Sequence, residues 1–192
     1  MRISKEPEVR KQELLDAAMN VFADKGYEAV TMKDIAQEAN VVPGLCYHYF
    51  RNKQELYHAA VTRYARECSK AFIAVFRQTD MPWEECLECM GRICVSQQDE
   101  YRYRTFFDKE GNQLFHKELE LYMTEEIFPY MERYLECLAE RGEIRCFDTR
   151  LLARFLWAGQ LAVVEDEGVP MEKRVGFIKE ILTKIIKQER NL

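Results

Sequence analysis

Apolar positions recur along this chain at intervals of three and four residues almost from end to end. Leu14, Leu15, Ala18, Val21 and Phe22 share one face of a first helix, which Gly26 is placed to stop. Thr31 and Asp34 then have the spacing of a capping box, predicting a short helix with Ile35, Ala36 and Ala39 along its apolar edge. The run Asn40-Val41-Val42-Pro43-Gly44 cannot continue that helix, because Pro43 disfavours helical geometry at Val42. A turn and a second short helix over residues 43–50 follow. Asn52 to Glu55 fits another capping box, opening a long helix over residues 53–77 through Tyr57, Val61, Tyr64, Ala65, Phe72 and Phe76. Thr79 to Pro82 reads as a break and new cap. Further helices are expected over residues 83–98, 101–115, 117–141, 149–166 and 171–189, with Gly142 and Gly168-Val169-Pro170 marking ends. No strand alternation, internal repeat or low-complexity segment interrupts the pattern, so the expected fold class is all-α.

Two short helices joined by a tight turn form the unit that lays its second helix in a DNA major groove. Here the inserted helix would carry the polar-tipped rings of Tyr47, His48 and Tyr49, with Gly44 and Cys46 small enough for close approach. Lys53 would sit in the first turn of the next helix, where backbone N–H groups and an ammonium together favour a phosphate oxygen. Each residue also has a plainer reading. Phe50 has no polar tip and fits the core better, Cys46 fits an inward slot, Thr31 caps its helix in any case, and Lys33 and Lys53 could be solvated charges.

The stretch from about Arg10 to Tyr57 resembles the DNA-binding domain of TetR-type bacterial transcriptional regulators. The resemblance is carried by Ala17-Ala18 and Phe22, by Lys25-Gly26-Tyr27, by Thr31 before Asp34-Ile35-Ala36, by Gly44 before Tyr47, and by Tyr49-Phe50 before Asn52-Lys53. It implies that Thr31 starts the turn, that Lys33 makes a groove contact, that Pro43, Gly44 and Leu45 open the recognition helix, and that Tyr47 binds phosphate. Three positions depart from the family pattern. Tyr49 stands where histidine is frequent, with His48 one place earlier, Leu45 stands where a small hydroxyl residue is usual, and Val42 where serine is common. These departures bear on the operator sequence. The expected DNA-binding set is therefore Thr31, Lys33, Pro43, Gly44, Leu45, Tyr47, His48, Tyr49 and Lys53.

The resemblance also implies a division into a helix-turn-helix head, residues 1–52, and a helical effector-binding and dimerisation body, residues 53–192. The long helix would join them without a flexible linker and could transmit movement of the body as a tilt of the head. The last two helices are apolar on more than one face, whereas a helix at the surface of a monomer needs a single buried stripe. The excess predicts a homodimer through Leu152, Phe155, Leu156, Val163, Ile178, Ile181, Leu182 and Ile185, with burial inside one protomer as the alternative. Cys86, Cys89, Met90, Ile93, Cys94 and Gln97 fall on one side of their helix, a soft face ending in a polar group. A small-molecule pocket is expected from Cys89, Met90, Tyr103, Phe107, Tyr122 and Trp157, although any one aromatic is more often plain core.

Composition narrows the remaining classes. Of 192 residues, 47% are hydrophobic and 32% charged, which excludes a disordered chain. No run approaches the roughly 20 apolar residues of a membrane span, and the charged start MRISKEPEVRK lacks the apolar stretch of a secretory signal, so a cytoplasmic location is expected. The net charge of −5 looks unfavourable for DNA. Its distribution matters more: residues 1–65 hold nine basic and nine acidic groups, so the whole deficit lies beyond them. A local basic patch of Arg2, Lys5, Arg10, Lys11, Lys33, Arg51 and Lys53 would carry binding and make it salt-sensitive.

Seven cysteines, an odd number, argue against a complete disulfide set. Cys86-Leu87-Glu88-Cys89 has the spacing of a redox or metal pair, but zinc would need two further ligands, and no cofactor is expected. There is no phosphate loop, nucleophile elbow or paired-histidine metal motif, and the three histidines lack partners at catalytic spacing. The expected function is a homodimeric transcriptional repressor with a double-stranded DNA operator and a small-molecule effector. The alternatives are a helical sensor or interaction module without DNA binding, and a thiol-switched regulator using Cys86 and Cys89.

Overall fold

Leu14, Ala18 and Phe22 recur every fourth residue and are all fully buried, which fixes the inward face of the first helix, α1 (Pro7–Lys25). The computed structural model describes residues 6–100, 113–146, 148–166 and 168–188. Tyr103 and Phe107, expected in the pocket, lie outside the described residues, as do Arg2 and Lys5 of the basic patch. Among the described residues the fold is all-α. α1 is followed by α2 (Met32–Glu38), α3 (Pro43–Tyr49), α4 (Lys53–Phe76), α5 (Trp83–Glu100), α6 (Gln113–Glu140), α7 (Thr149–Val164) and α8 (Met171–Gln188). No described helix is long and apolar enough to cross a membrane.

The described residues form two compact units. The first runs through residue 67 and includes residues 113–122; the second holds residues 68–100 and the described residues from 123 onwards. In the first, α1, α2, α3 and the opening turns of α4 enclose Phe22, Ile35, Cys46, Leu56 and Val61. Arg63 of α4 ties back to α1, donating to the Gln12 carbonyl at 2.9 Å and pairing with Asp16 at 3.0 Å. The contact-based division thus falls partway along α4, because that helix's opening turns are part of the head's own core.

The second unit is built on Tyr134, which is fully buried, donates to the Met81 carbonyl at 2.9 Å and stacks on Trp83. Arg141 donates to the carbonyls of Thr79 and Met81, closing the α4–α5 loop over the end of α6. α6 ends at Gly142, whose φ of 72° lets its N–H reach Ala139 and the next N–H reach Leu138, satisfying two terminal carbonyls. The expected break near residue 116 is absent. α6 runs unbroken from Gln113, since neither glycine nor proline stands there to stop it. Pro129 lies inside α6 with its ring exposed, removing one helical hydrogen bond without ending the helix.

α8 packs on α5 and α7. Gly91 makes the α5 contact possible, since a Cβ there would lie 2.8 Å from Val175 Cγ1 and 2.7 Å from Lys179 Cε. The Lys179 tip can move, but the branched Val175 side chain cannot turn away cheaply. Gly91→Val should therefore lower stability by about 1–3 kcal/mol, the usual range for overpacking, as measured by urea denaturation. An unchanged midpoint would mean the helices separate freely at this point.

Candidate nucleic-acid interface

Thr31 sets the start of α2. Its hydroxyl accepts from the Asp34 N–H at 3.3 Å, while the Asp34 carboxylate accepts from the Thr31 N–H at 2.8 Å and from the Thr31 hydroxyl at 2.5 Å. The expected capping box is present and reciprocal. Lys25 adds an ion pair to Asp34 at 3.0 Å. The hydrogen bonds from Thr31, then Lys25, hold the Asp34 carboxyl well below the usual carboxylate range.

The turn is made one step earlier than the proline implies. Asn40 adopts a φ of 52°, its N–H reaches the Gln37 carbonyl at 3.0 Å, and the Val41 N–H reaches Ala36 at 2.8 Å. This is a left-handed helix cap, a conformation that asparagine tolerates better than other residues with a side chain. Val42 is extended and Pro43 occupies the first turn of α3, where its missing N–H costs nothing.

α3 has two unlike faces. Cys46 is fully buried and Phe50, just past the helix end, nearly so, which makes them core residues, with the half-buried Tyr49 packed alongside. Outward stand Pro43, Gly44, His48, Val42 at 61% exposure and Tyr47 at 56%, with Leu45 half-buried beside them. A Cβ on Gly44 would meet no atom within 4 Å. Thr31 and Lys33 are exposed on the neighbouring α2.

Lys53 is engaged within the head itself. Its ammonium donates to the Tyr27 carbonyl at 2.7 Å and more weakly to Glu28 at 3.4 Å, and lies 4.2 Å from the Tyr27 ring centroid. Tyr27 in turn packs on Phe22 and Tyr57, with centroids 5.7 and 4.7 Å away. Lys53 therefore fastens the α1–α2 turn to the start of α4. Asn52 caps α4 by accepting from Glu55 at 2.8 Å, but the Glu55 carboxylate returns to the N–H of Arg51, one residue further back than expected.

Residues far along the chain close this unit. Tyr57 donates to Glu118 at 2.6 Å, and His58 Nδ1 lies 3.0 Å from the Tyr122 hydroxyl. Tyr122, expected to line a pocket, packs in the head's own core. An open polar hollow of about 520 Å³ lies against α1 and the end of α2. Its acids Glu13 and Asp16 are paired with Arg10 and Arg63, and Glu38 accepts from Asn20.

Of the other pocket candidates, Cys89 and Met90 are half-buried against the body core, and Trp157 is buried within it. Trp157 donates to Thr124 Oγ1 at 2.9 Å and meets Phe72 edge-on. Cys86 is 1% exposed, and burial pushes its thiol up to about 12. In the expected dimer set, Phe155 is 64% and Ile181 37% exposed, while Leu152, Val163, Ile178 and Ile185 are half-buried. Leu156 and Leu182 are buried in the protomer's own core. Leu151 and Phe177, on the same two helices, also expose more than half their surface.

Residues 14–60 match the model of the bacterial regulatory proteins, tetR family. Over these residues the head is similar to the TetR family. The HTH-type transcriptional regulator BetI of Brucella canis is 37% identical over 83 residues, 43% of this chain and 41% of BetI, so the match spans about two-fifths of that relative. The fold extends further than the sequence match. A TetR-family structure from Mesorhizobium loti superposes with a TM-score of 0.73 at 18% identity, covering 95% of this chain and 98% of the other. SmeT, the repressor of the Stenotrophomonas maltophilia efflux pump SmeDEF, superposes with a TM-score of 0.65 at 20% identity over 91% and 89%. A SmeT–triclosan complex gives 0.66 at 24% identity over 92% and 90%. At these identities the superpositions establish a common TetR-type fold.

The capping box makes the TetR-type head sensitive to acid. Asp34 titrates below its unfolded value, so its contribution is present above about pH 4, the unfolded carboxylate range, and is lost as pH falls below it. Asp34→Asn should flatten that part of the stability profile, as followed by circular dichroism between pH 6 and 2, and an unaltered profile would refute the assignment. Lys53→Met should lower stability by about 1 kcal/mol through loss of a charged hydrogen bond. The check is hydrogen exchange at residues 26–31, which should speed up.

Proposed function

We propose that this chain is a homodimeric DNA-binding transcriptional repressor, released from a palindromic operator by a small-molecule effector. The observation that carries the reading is the outer surface of α3. Val42, Gly44, Tyr47 and His48 stand exposed on a short helix whose opposite side is fully packed, a surface formed to meet another molecule. In this reading Thr31, Tyr47, His48 and Tyr49 approach phosphates, and Lys33, Pro43, Gly44 and Leu45 face the groove. Lys53 acts at one remove, by holding the α1–α2 turn that presents Thr31. Functionally the chain divides into residues 1–52 for DNA and 53–192 for effector binding and assembly, in the cytoplasm and without an enzymatic step. The TetR-type match over the head supports the DNA reading.

Dimerisation is supported by Leu151, Phe155, Phe177 and Ile181, a set of exposed large apolar side chains on α7 and α8. A two-fold axis through such a patch would pair the heads and match a palindrome. Effector binding is supported by the SmeT–triclosan complex on the same fold, with Cys89, Met90 and Trp157 of the body core as the candidate contacts. An effector that prefers the conformation unable to bind DNA would release the protein by shifting its population. The thiol-switch alternative is disfavoured by the burial of Cys86.

The test is fluorescence anisotropy on DNA from immediately upstream of the chain's own gene against scrambled DNA, at fixed near-physiological salt. Preference for the native sequence is expected. Tyr47→Phe should weaken binding to every sequence, and Phe155→Glu should give monomers by analytical ultracentrifugation with markedly weaker operator binding. A folded Phe155→Glu protein that remains dimeric would remove the α7–α8 assignment. Folded dimer without preference for any selected DNA would favour an interaction module instead.

A further inference from the structure

Base-specific hydrogen bonds in the major groove come chiefly from arginine, lysine, asparagine, glutamine, carboxylates and small hydroxyls. Residues 42–48, Val-Pro-Gly-Leu-Cys-Tyr-His, contain none of these. Cys46 is fully buried and unavailable. Tyr47 and His48 are the polar side chains left on the outer face, and both lie towards the end of α3. In a helix-turn-helix the first residues of the second helix come nearest the base edges. Here those are Val42, 61% exposed, then Pro43, Gly44 and the half-buried Leu45. The open space at Gly44, beside the exposed Pro43, leaves room for the groove floor to approach the backbone there.

An apolar side chain can read one major-groove feature favourably, the C5 methyl of thymine. Against the amino group of cytosine or adenine the same side chain strips water from a donor and returns no hydrogen bond, which is a penalty. We infer that Val42 and Leu45 are specificity-determining residues that read thymine methyl groups, so that each operator half-site carries thymine where the start of α3 meets the groove. The inference rests on the proposed function and adds the chemistry by which the head selects its sequence. Selectivity here comes from methyl burial and from rejecting amino groups, with the phosphate contacts supplying affinity.

The experiment begins with an operator selected from random DNA by the full-length protein. Each thymine of the half-site is then replaced in turn by deoxyuridine, which keeps the O4 acceptor and the base pairing and removes only the methyl. At one or more positions the Kd should rise about fourfold, the burial of a single methyl group. The penalty at a given position should vanish in either Val42→Ala or Leu45→Ala, which identifies the side chain responsible. A selected operator whose Kd is unaffected by deoxyuridine at every thymine overturns the inference and leaves the proposed function standing. A penalty that persists undiminished in both alanine variants also overturns it, since the methyl would then act through DNA shape or another residue. Selection that yields no preferred sequence, from protein that is folded and dimeric, overturns the proposed function and this inference together.

Discussion

A helix of seven residues has no stability of its own. Nucleation costs more than the few hydrogen bonds of two turns return, and isolated helices of this length do not persist in water. α2 and α3 are both seven residues long, so the surface that would meet DNA exists only because other groups hold it. Thr31 and Asp34 hold the start of α2, the left-handed Asn40 holds its end, and Pro43 presets the first turn of α3. Beneath them Cys46 and Phe50 anchor α3 in a core that α1 and the start of α4 supply. A small, buried side chain at position 46 lets α3 lie close on that core. Most of the head's other devices serve the same requirement, including the Lys53 ammonium on the α1–α2 turn and the Tyr57 hydroxyl on Glu118.

Two of the places where the described residues expose large apolar groups differ in chemistry. On α7 and α8 the exposed side chains are Leu151, Phe155, Phe177 and Ile181, a patch that another apolar surface would cover best. Just before α3 stands the exposed Val42, and near its end the exposed Tyr47 and His48, so this segment presents both apolar and polar-tipped groups. Such a mixture suits a partner that offers methyl groups and hydrogen-bonding edges side by side, as a DNA groove does. The contrast follows from composition. α7 is mostly apolar, interrupted by Arg150, Arg154 and Gln160, whereas the outer side of α3 keeps aromatic rings with hydrogen-bonding atoms at their tips.

Much of the head could be read from the chain because its determinants are local. A cap is decided by residues three or four apart, and Thr31, Gly26, Pro43 and Asn52 act as their neighbours predict. What escaped reading is decided across the chain. Lys53 has two physically reasonable uses, a phosphate or a carbonyl, and only folding brings Tyr27 within 2.7 Å of it. Tyr122 looks like pocket wall on any helical wheel, yet its hydroxyl meets His58, 64 residues earlier. Asn40 could have been suspected, since asparagine tolerates the left-handed region, but the following proline is the louder signal. In the body, helix existence was plain from periodicity while the outward side of α7 was not. When a helix is apolar all round, only its neighbours decide which side is covered, and Leu156 and Phe155, adjacent in sequence, end at 1% and 64% exposure.

The cysteines show how burial changes the meaning of a motif. Cys86 and Cys89 have the spacing of a redox pair, and the nucleophile in thiol exchange is the thiolate. Burial takes the Cys86 thiol up to about 12, so at neutral pH it stays protonated. Cys94 is raised in the same direction by the same cause, and Cys46 likewise in the head. A sensor cysteine needs access and a depressed pKa, and Cys86 has neither. What these positions share is a small, polarizable side chain in a tight place: Cys46 beneath α3, Cys86 beside Tyr134 in the body core. Their common use is packing, and the three-residue spacing of Cys86 to Cys89 reflects one helix face turned towards that core.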